Sequence, residues 1–235
     1  MDLIYSYAAF LIAYLVGSVS FAVLVTKAMR LPDPRSYGSK NPGATNVLRS
    51  GNKTAAALTL LLDTLKGYLP TALAGYYSFE LGFQEISSAD TLVAFVGVAA
   101  FIGHLFPVFL RFRGGKGVAI ALGVLLAYEP LLGGLTLVVW CVMAALFRYS
   151  SLASVVSAVF APFFMLLFFD RPTVALAVTI MTLLLLWRHW RNVVALLTGK
   201  ESRIGEKPDP AKRKRRRRVR RLDDDMSRSP PTPRS

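Results

Sequence analysis

The sequence predicts an all-α integral membrane protein with seven transmembrane helices, some of them short, with the N-terminus outside and the C-terminus in the cytoplasm. Two observations predict this: apolar residues come in long runs, and the charges between the runs alternate in sign along the chain. In hydrocarbon a helix satisfies its backbone N–H and C=O groups within one segment, so long apolar runs fold as helices. The alternating ten-residue segments that build a membrane β-barrel do not occur in the sequence.

Seven apolar runs are candidates for membrane crossings. They lie at residues 4–27, 55–77, 91–110, 118–128, 131–147, 152–169 and 173–187. A hydrocarbon core of about 30 Å needs about 20 helical residues, so the fourth run is short. It either crosses by itself or fuses with the fifth run across Glu129-Pro130 into one kinked helix, and the charges of the connections decide between the two.

The connections differ in charge. Those after the first, third, fifth and last runs are basic, with Lys27, Arg30, Arg35, Lys40, Arg49, Lys53, Arg111, Arg113, Lys116, Arg148, Arg188 and Arg191. The others are acidic or nearly neutral, with Glu80, Glu85, Asp90, Glu129, Asp170 and Arg171. Because positive loops stay in the cytoplasm, seven crossings put every basic connection inside, whereas six leave the first basic loop or the basic tail outside. Four polar stretches then share the cytoplasmic face, where a functional site is expected: 33–53, 111–117, 148–154 and 188–201.

Composition argues against several classes of function. The formal net charge is +14, but much of the excess lies in a tail block at residues 212–221 without interleaved aromatic residues, so nucleic-acid binding is not expected. The single cysteine, Cys141, lies in an apolar run and excludes disulfides within the chain. Two histidines, His104 and His189, are too few for a histidine-rich metal site, and neither a metal nor a cofactor is predicted.

Residues 35–49, in the first basic connection, combine glycines with hydrogen-bonding side chains. Arg35 and Arg49 carry guanidinium groups that bind phosphate oxygens in pairs, and the glycines let backbone amides approach a ligand. The hydrogen-bonding side chains are those of Ser39, Asn41, Thr45 and Asn46. Two interpretations stay open from this segment alone: a phosphate-binding segment, or a polar turn that joins two helices.

The segment Gly114-Gly115-Lys116-Gly117 precedes an apolar helix. Glycines that expose amides at a helix N-terminus, beside a lysine, favour an anion site. It is not a Walker A loop, because Gly117 stands where Ser or Thr is required. The alternative is a flexible turn whose lysine only sets topology, but three glycines around one lysine favour the anion site.

Further polar residues lie within apolar runs or at their ends: Ser151, Ser154, His104, His189 and Asn192. Each of these also suits a structural role, as a helix cap, an interfacial residue or a buried hydrogen-bonded histidine. Lys66 follows Asp63 by three residues inside the second run, where ionisable groups are costly. The two either pair with each other or Lys66 extends to a phosphate at the cytoplasmic face.

Taken in order, these motifs resemble the bacterial acyl-phosphate-dependent glycerol-3-phosphate acyltransferases, the PlsY family. They lie at residues 17–18, 38–46, 62–67, 103–107, 114–118, 151–154, 188–192 and 197–201. The resemblance therefore extends from about residue 17 to residue 201. One departure is Lys40, which stands where the family usually has Gly.

The resemblance implies transfer of a fatty acyl group from acyl phosphate to the 1-hydroxyl of glycerol 3-phosphate, giving lysophosphatidic acid and phosphate. It also implies a multi-pass protein of the bacterial inner membrane, with the lipid bilayer around it and the site facing the cytoplasm. On this basis the predicted catalytic residues are His189, Asn192, Ser39 and Lys116. The predicted substrate- and phosphate-binding residues are Asn41, Thr45, Asn46, Arg49, Lys66, His104, Gly114, Gly115, Ser151 and Ser154.

Acyl phosphate is already activated, so we expect the substrate hydroxyl to attack it directly, with His189 or a substrate phosphate taking the proton. The acyltransferase domain is expected to span residues 1–201, followed by a basic, disordered cytoplasmic tail at 202–235. The alternative class of function is a small-anion transporter, which predicts polar residues that continue to the outer face. The outer connections are short or acidic and are expected to carry almost no hydrogen-bonding cluster, so acyl transfer is favoured.

Overall fold

The computed structural model describes residues 2–80 and 86–206, and every regular element within these ranges is helical. The helices are α1 (Asp2–Ser18), α2 (Phe21–Ala28), α3 (Ala44–Leu48), α4 (Lys53–Glu80), α5 (Ile86–Leu105), α6 (Val118–Tyr128), α7 (Pro130–Phe147), α8 (Ser150–Phe168) and α9 (Pro172–Leu197), with a 3-10 turn at Val108–Leu110. Met1–Glu201 form one compact unit and Ser202–Ser235 another, of which only residues 202–206 are described. Glu85 and the tail block at 212–221 lie outside the described residues.

Four helical segments in the described ranges are long and apolar enough to cross a membrane: Ala89–Leu110, Pro130–Phe147, Ser150–Phe168 and Pro172–Leu197. The predicted run at 4–27 is not one helix, because it breaks between α1 and α2 with a bend of 44°; counted as one span, the pair makes five. The two remaining predicted crossings fall on α4 and on α6, which is 11 residues long. Such a helix rises about 16 Å, roughly half a hydrocarbon core. Seven crossings and the orientation of the termini stay predictions.

Helix α5 lies at the centre of the helical unit. It packs against α1, α4, α6 and α9, and 67% of its span is buried, against 17% for α7. Two glycines allow α1 and α5 to approach closely, because a methyl group at Gly17 would overlap the backbone of Ala100 and one at Gly103 would overlap the Tyr14 carbonyl. The α1–α5 contact therefore depends on small residues, as is usual for helix packing in membranes.

A polar cluster lies where α5 and α9 begin and α6 ends, at the opposite end of these helices from residues 111–117. Arg171 donates from Nε and Nη2 to the Asp90 carboxylate at 2.6 to 3.1 Å. Its Nη1 donates to Glu129 Oε1 at 2.6 Å and to the Tyr128 carbonyl at 2.9 Å. The expectation that these connections carry almost no hydrogen-bonding cluster is therefore wrong, since charges that stand far apart in the sequence meet where three helix ends converge.

Candidate functional site

Four polar stretches meet at the other end of the helices. The hydroxyls of Thr45 and Ser150 lie 3.2 Å apart, which joins α3 to the start of α8. Lys116 Nζ donates to Asn192 Oδ1 at 2.5 Å, which joins the loop at residues 114–117, the glycine loop, to α9. Residues 33–53, 111–117, 148–154 and 188–201 thus contribute to one surface, although the role of each side chain stays a prediction.

Asn46 organises the segment before it. Its side-chain amide donates to the Pro34 carbonyl at 2.6 Å and to the Tyr37 carbonyl at 3.3 Å, and its Oδ1 accepts from the Ser39 N–H at 3.0 Å. The side chain is 2% exposed, so in this structure it holds the loop rather than facing a ligand. Of the other predicted residues in this segment, Ser39, Thr45 and Arg49 are exposed and Asn41 is half-buried.

Lys40 has a left-handed backbone, with φ of +57°. Glycine adopts this conformation without steric cost, whereas lysine does not. The local geometry thus accounts for a position at which Gly is usual among the proteins the sequence resembles.

The glycine loop is held from two sides. Arg188 donates from Nη2 to the carbonyls of Gly114 and Gly115 at 2.8 and 2.9 Å. On the other side the Gly115 N–H donates to the His104 carbonyl at 3.1 Å, and a methyl group on Gly115 would overlap the His104 imidazole. The glycines are therefore required by packing, and the Gly115 amide, predicted to face an anion, is committed to the protein.

Lys116 is a half-buried cation with more positive than negative charge around it. Burial lowers the pKa of Lys116 to about 8; the Glu201 carboxylate opposes this shift, and Arg49 and Arg188 add to it. Three cations against one carboxylate leave a net positive site, and a cation that has lost part of its hydration binds an anion strongly. The arrangement therefore suits a phosphate group.

Glu201 connects α8 and α9. One of its oxygens accepts from Ser151 Oγ at 2.7 Å and from Asn192 Nδ2 at 2.8 Å. Gly199 has φ of +65°, which turns the chain back toward α9 so that the N–H groups of Lys200 and Glu201 reach the Ala195 carbonyl. The carboxylate thereby fixes the amide of Asn192, whose oxygen faces Lys116.

Sequence reasoning assigned no site role to Glu201, Arg188 or Ser150. A detectable signal existed for Glu201, because it is an acid among basic residues and follows a glycine directly after a long helix.

His189 is 2% exposed and its Nδ1 lies 2.9 Å from the Leu185 carbonyl. Because a carbonyl only accepts, Nδ1 carries the hydrogen, and in the neutral ring Nε2 is left with the lone pair. Ser154, in contrast, is committed to the protein: its hydroxyl donates to the Ser150 carbonyl at 2.8 Å and accepts from the Trp140 indole at 3.1 Å.

Lys66 and His104 lie beneath the glycine loop. Both are buried and line a small cavity together with Gly114 and Gly115. The Lys66 ammonium contacts Asp63 and the Val19 carbonyl, which points to a role other than direct phosphate binding. Among the described residues, no three His, Cys, Asp or Glu side chains are grouped so as to hold a metal ion.

Comparison with known proteins gives a consistent family. A family model described as "Glycerol-3-phosphate acyltransferase" matches residues 7–199. A glycerol-3-phosphate acyltransferase of Paraburkholderia phymatum is 56% identical over 196 residues, which cover 83% of this chain and 91% of the relative. One of Burkholderia multivorans is 57% identical over 205 residues, covering 86% and 92%.

Two crystal structures of PlsY (YgiH), an integral membrane glycerol 3-phosphate acyltransferase, have the same fold. The glycerol 3-phosphate form aligns with a TM-score of 0.77 at 35% identity, over 86% of this chain and 96% of that one. The lysophosphatidic acid form aligns with a TM-score of 0.76 at 34% identity, with the same coverage.

Proposed function

This chain belongs to the glycerol-3-phosphate acyltransferase family of integral membrane proteins, and from that premise we propose that its acyl donor is acyl phosphate and its product is lysophosphatidic acid. The observation that carries the donor assignment is the Lys116 ammonium, held by Asn192, with two further cations, Arg49 and Arg188, and one carboxylate, Glu201, close enough to act on its charge. Both substrates then present a small phosphate group, and one cation-rich site suits these groups. A thioester donor presents a large carrier, which needs further contact surface.

The reaction needs alignment and charge neutralisation more than activation. The 1-hydroxyl oxygen of glycerol 3-phosphate attacks the acyl carbonyl carbon, the carbon–oxygen bond to phosphate breaks, and phosphate leaves with the electron pair. Lys116 stabilises the charge that develops on this leaving group, which is where a fixed cation lowers the barrier most. The hydroxyl proton goes to His189 Nε2 or to a phosphate oxygen, since Nδ1 is held by the Leu185 carbonyl.

The remaining predicted residues divide into two groups. Ser39, Asn41, Thr45 and Arg49 bind the substrate phosphates, with Asn192 fixed between Lys116 and Glu201 to hold the ammonium in place. The other group supports them from behind the surface: Asn46, His104, Gly114, Gly115, Ser154 and Ser151, whose hydroxyl donates to Glu201. We place this site at the cytoplasmic face of the bacterial inner membrane, on the strength of the positive charge in its four stretches.

The test is a donor comparison on the purified chain in liposomes without an ion gradient. Labelled glycerol 3-phosphate is supplied with acyl phosphate, acyl-coenzyme A or an acyl-carrier protein, each with the same acyl chain, and labelled lysophosphatidic acid is measured. We expect product with acyl phosphate alone, and about a hundredfold less product from Lys116→Ala at equal amounts. Equal rates with acyl-coenzyme A would contradict the assignment of the donor while leaving the family unaffected.

A further inference from the structure

The break between α1 and α2 leaves backbone groups without partners in a helix, and such groups are most costly inside a membrane. Helix α1 ends at Ser18 and α2 begins at Phe21, within a bent apolar pair. At such a break, carbonyls of the first helix and N–H groups of the second lose their partners within the helix. Unsatisfied backbone groups are costly in hydrocarbon, so they need partners from elsewhere in the protein.

Asp63 and Lys66 of α4 lie at this break. Lys66 Nζ donates to the Val19 carbonyl at 2.6 Å, and the Asp63 carboxylate lies close enough to the Phe21 N–H to interact with it electrostatically. Ser20, the residue that precedes α2, makes no capping bond with its side chain. The cation thus meets the negative end of α1 and the anion meets the positive end of α2, the arrangement that helix dipoles favour.

The two charged groups also hold each other. Lys66 Nζ lies 2.8 Å from Asp63 Oδ1, with the side chains 2% and 3% exposed, and the Phe21 ring lies 5.8 Å from the ammonium. A pair this deeply buried is weak evidence for a contribution to stability, since apolar residues of similar volume often serve stability as well or better.

The pair is connected to both halves of the site. On one side His104 Nδ1 lies 3.9 Å from Asp63 Oδ1, and the same histidine contacts Gly115 through its carbonyl and its ring. On the other side α2 packs on α3 and α4 through an apolar cluster formed by Ala22, Val25, Val47, Ala55 and Ala56. Because α3 carries Thr45, the break sets the position of one wall of the site, and His104 sets that of the other.

We propose that Asp63 and Lys66 are positioning residues, which hold the α1–α2 break and thereby align α3 with the start of α8 and with the loop at 114–116. The role deepens the proposed function, because the aligned residues are those assigned to the phosphates. It replaces direct phosphate binding by Lys66, and it differs from an ion pair that serves stability alone.

The experiment measures alignment and turnover separately. Alignment is reported by Thr45→Cys/Ser150→Cys, whose parent hydroxyls are 3.2 Å apart, in a Cys141→Ser background. Disulfide yield under mild oxidation is compared across Asp63→Asn, Lys66→Gln, Lys66→Met and the exchanged pair Asp63→Lys/Lys66→Asp. Turnover and KM for glycerol 3-phosphate are measured on the same variants without the added cysteines, and Thr71→Val, a buried position bonded within α4, is the matched control.

We expect kcat of Lys66→Met to fall by about a hundredfold, as misplacement by about 1 Å does, with cross-linking reduced and KM for glycerol 3-phosphate changed little. The exchanged pair restores attraction but sets each charge against the wrong helix end, so it stays impaired in both measurements. Thr71→Val keeps wild-type values.

Three outcomes overturn the proposal. Recovery of kcat and cross-linking by the exchanged pair shows that the ion pair alone matters. A rise in KM with unchanged kcat and cross-linking shows that Lys66 contacts the substrate. A variant that loses turnover but cross-links like wild type shows that α3 and α8 do not depend on the break. Cross-linking uses no acyl donor. If the donor assignment is wrong, the wild-type protein gives no product with acyl phosphate, and the cross-linking results are unaffected.

Discussion

The two polar ends of the helices are built from the same kinds of side chain but leave opposite balances of charge. In the cluster where α5 and α9 begin, the Arg171 guanidinium donates to two carboxylates and one carbonyl. The two negative charges exceed its one positive charge. At the other end Glu201 accepts from Ser151 and Asn192, while two cations, Arg49 and Arg188, and the one carboxylate act on the charge of Lys116.

The difference in charge balance distinguishes a cluster that stabilises the fold from one that suits a ligand. A cluster that satisfies its own donors and compensates its charge fixes helix ends and needs no ligand. A cluster in which two half-buried cations, Lys116 and Arg188, and the exposed Arg49 outnumber one carboxylate attracts an anion. The first therefore gives no support to anion transport through the protein, whereas the second suits two phosphate-bearing substrates.

The sharpest test of the comparison is whether the two ends lie on opposite sides of the membrane. In a Cys141→Ser background, Asp170→Cys should react with an impermeant maleimide in intact cells, and Lys200→Cys should react only after permeabilisation. The basic connections at the site end predict this orientation. Labelling of position 200 in intact cells would refute the seven-crossing topology.

The largest kinetic effect is expected at Lys116. Lys116→Ala should lower kcat/KM by about a hundredfold, roughly 3 kcal/mol, because a fixed cation is removed from the leaving phosphate. Arg113→Ala, an exposed position in the same loop, is the control and should change little. The check is steady-state acyl transfer by monodisperse protein, and wild-type rates for Lys116→Ala would remove this residue from the mechanism.

The pH dependence follows from the same ammonium. With a pKa of about 8, Lys116 is about nine tenths protonated at pH 7 and mostly neutral above about pH 9. Since only the cation attracts phosphate, kcat/KM should fall by about tenfold between about pH 7 and about pH 9.

Two variants test whether Lys116 is the group whose titration causes the alkaline fall in kcat/KM. Lys116→Arg should abolish the alkaline fall, because arginine stays protonated over this range. Glu201→Gln should move the fall to lower pH, because the carboxylate raises the Lys116 pKa and its loss lowers it. Each profile is normalised to its own value at pH 7. An unchanged profile in Lys116→Arg means that another group titrates.

At the opposite end a change should affect stability and leave turnover alone. Arg171→Gln deprives Asp90 and Glu129 of their common partner and should destabilise the protein by about 2 kcal/mol, or about 5 °C in the thermal midpoint. Asp90→Asn with Arg171→Gln should lose less than the sum of the single changes. A loss of kcat/KM as large as that of Lys116→Ala would show that this end takes part in the reaction.

The sequence predicted the helices well where apolar runs are continuous, because run length alone decides a membrane helix. It did not predict the break at residues 19–20, since the groups that stabilise it, Asp63 and Lys66, come from a distant helix. Among site residues, Asn46 and Ser154 could bind phosphate by their chemistry, but Asn46 donates to a backbone carbonyl and Ser154 accepts from Trp140 instead. Glu201 was missed for the converse reason, because an acid has no evident place in an anion site until its hydrogen-bond partners are known.

The smallest effect on turnover is expected from the tail at residues 207–235, which lies beyond the end of the family match. Removing residues 207–235 should leave kcat and KM within about threefold, because the family match ends at residue 199 and the hydrogen-bond network at Glu201. The basic block at 212–221 should instead strengthen binding to anionic headgroups, by about 1 kcal/mol for each Lys or Arg near the surface at low salt.

Acyl transfer is therefore compared at equal protein in liposomes with and without anionic lipid, for the full chain, the truncated chain and a chain with the block replaced by Ser and Gly. A fall of more than about tenfold in inserted, monodisperse truncated protein would make the tail part of the site.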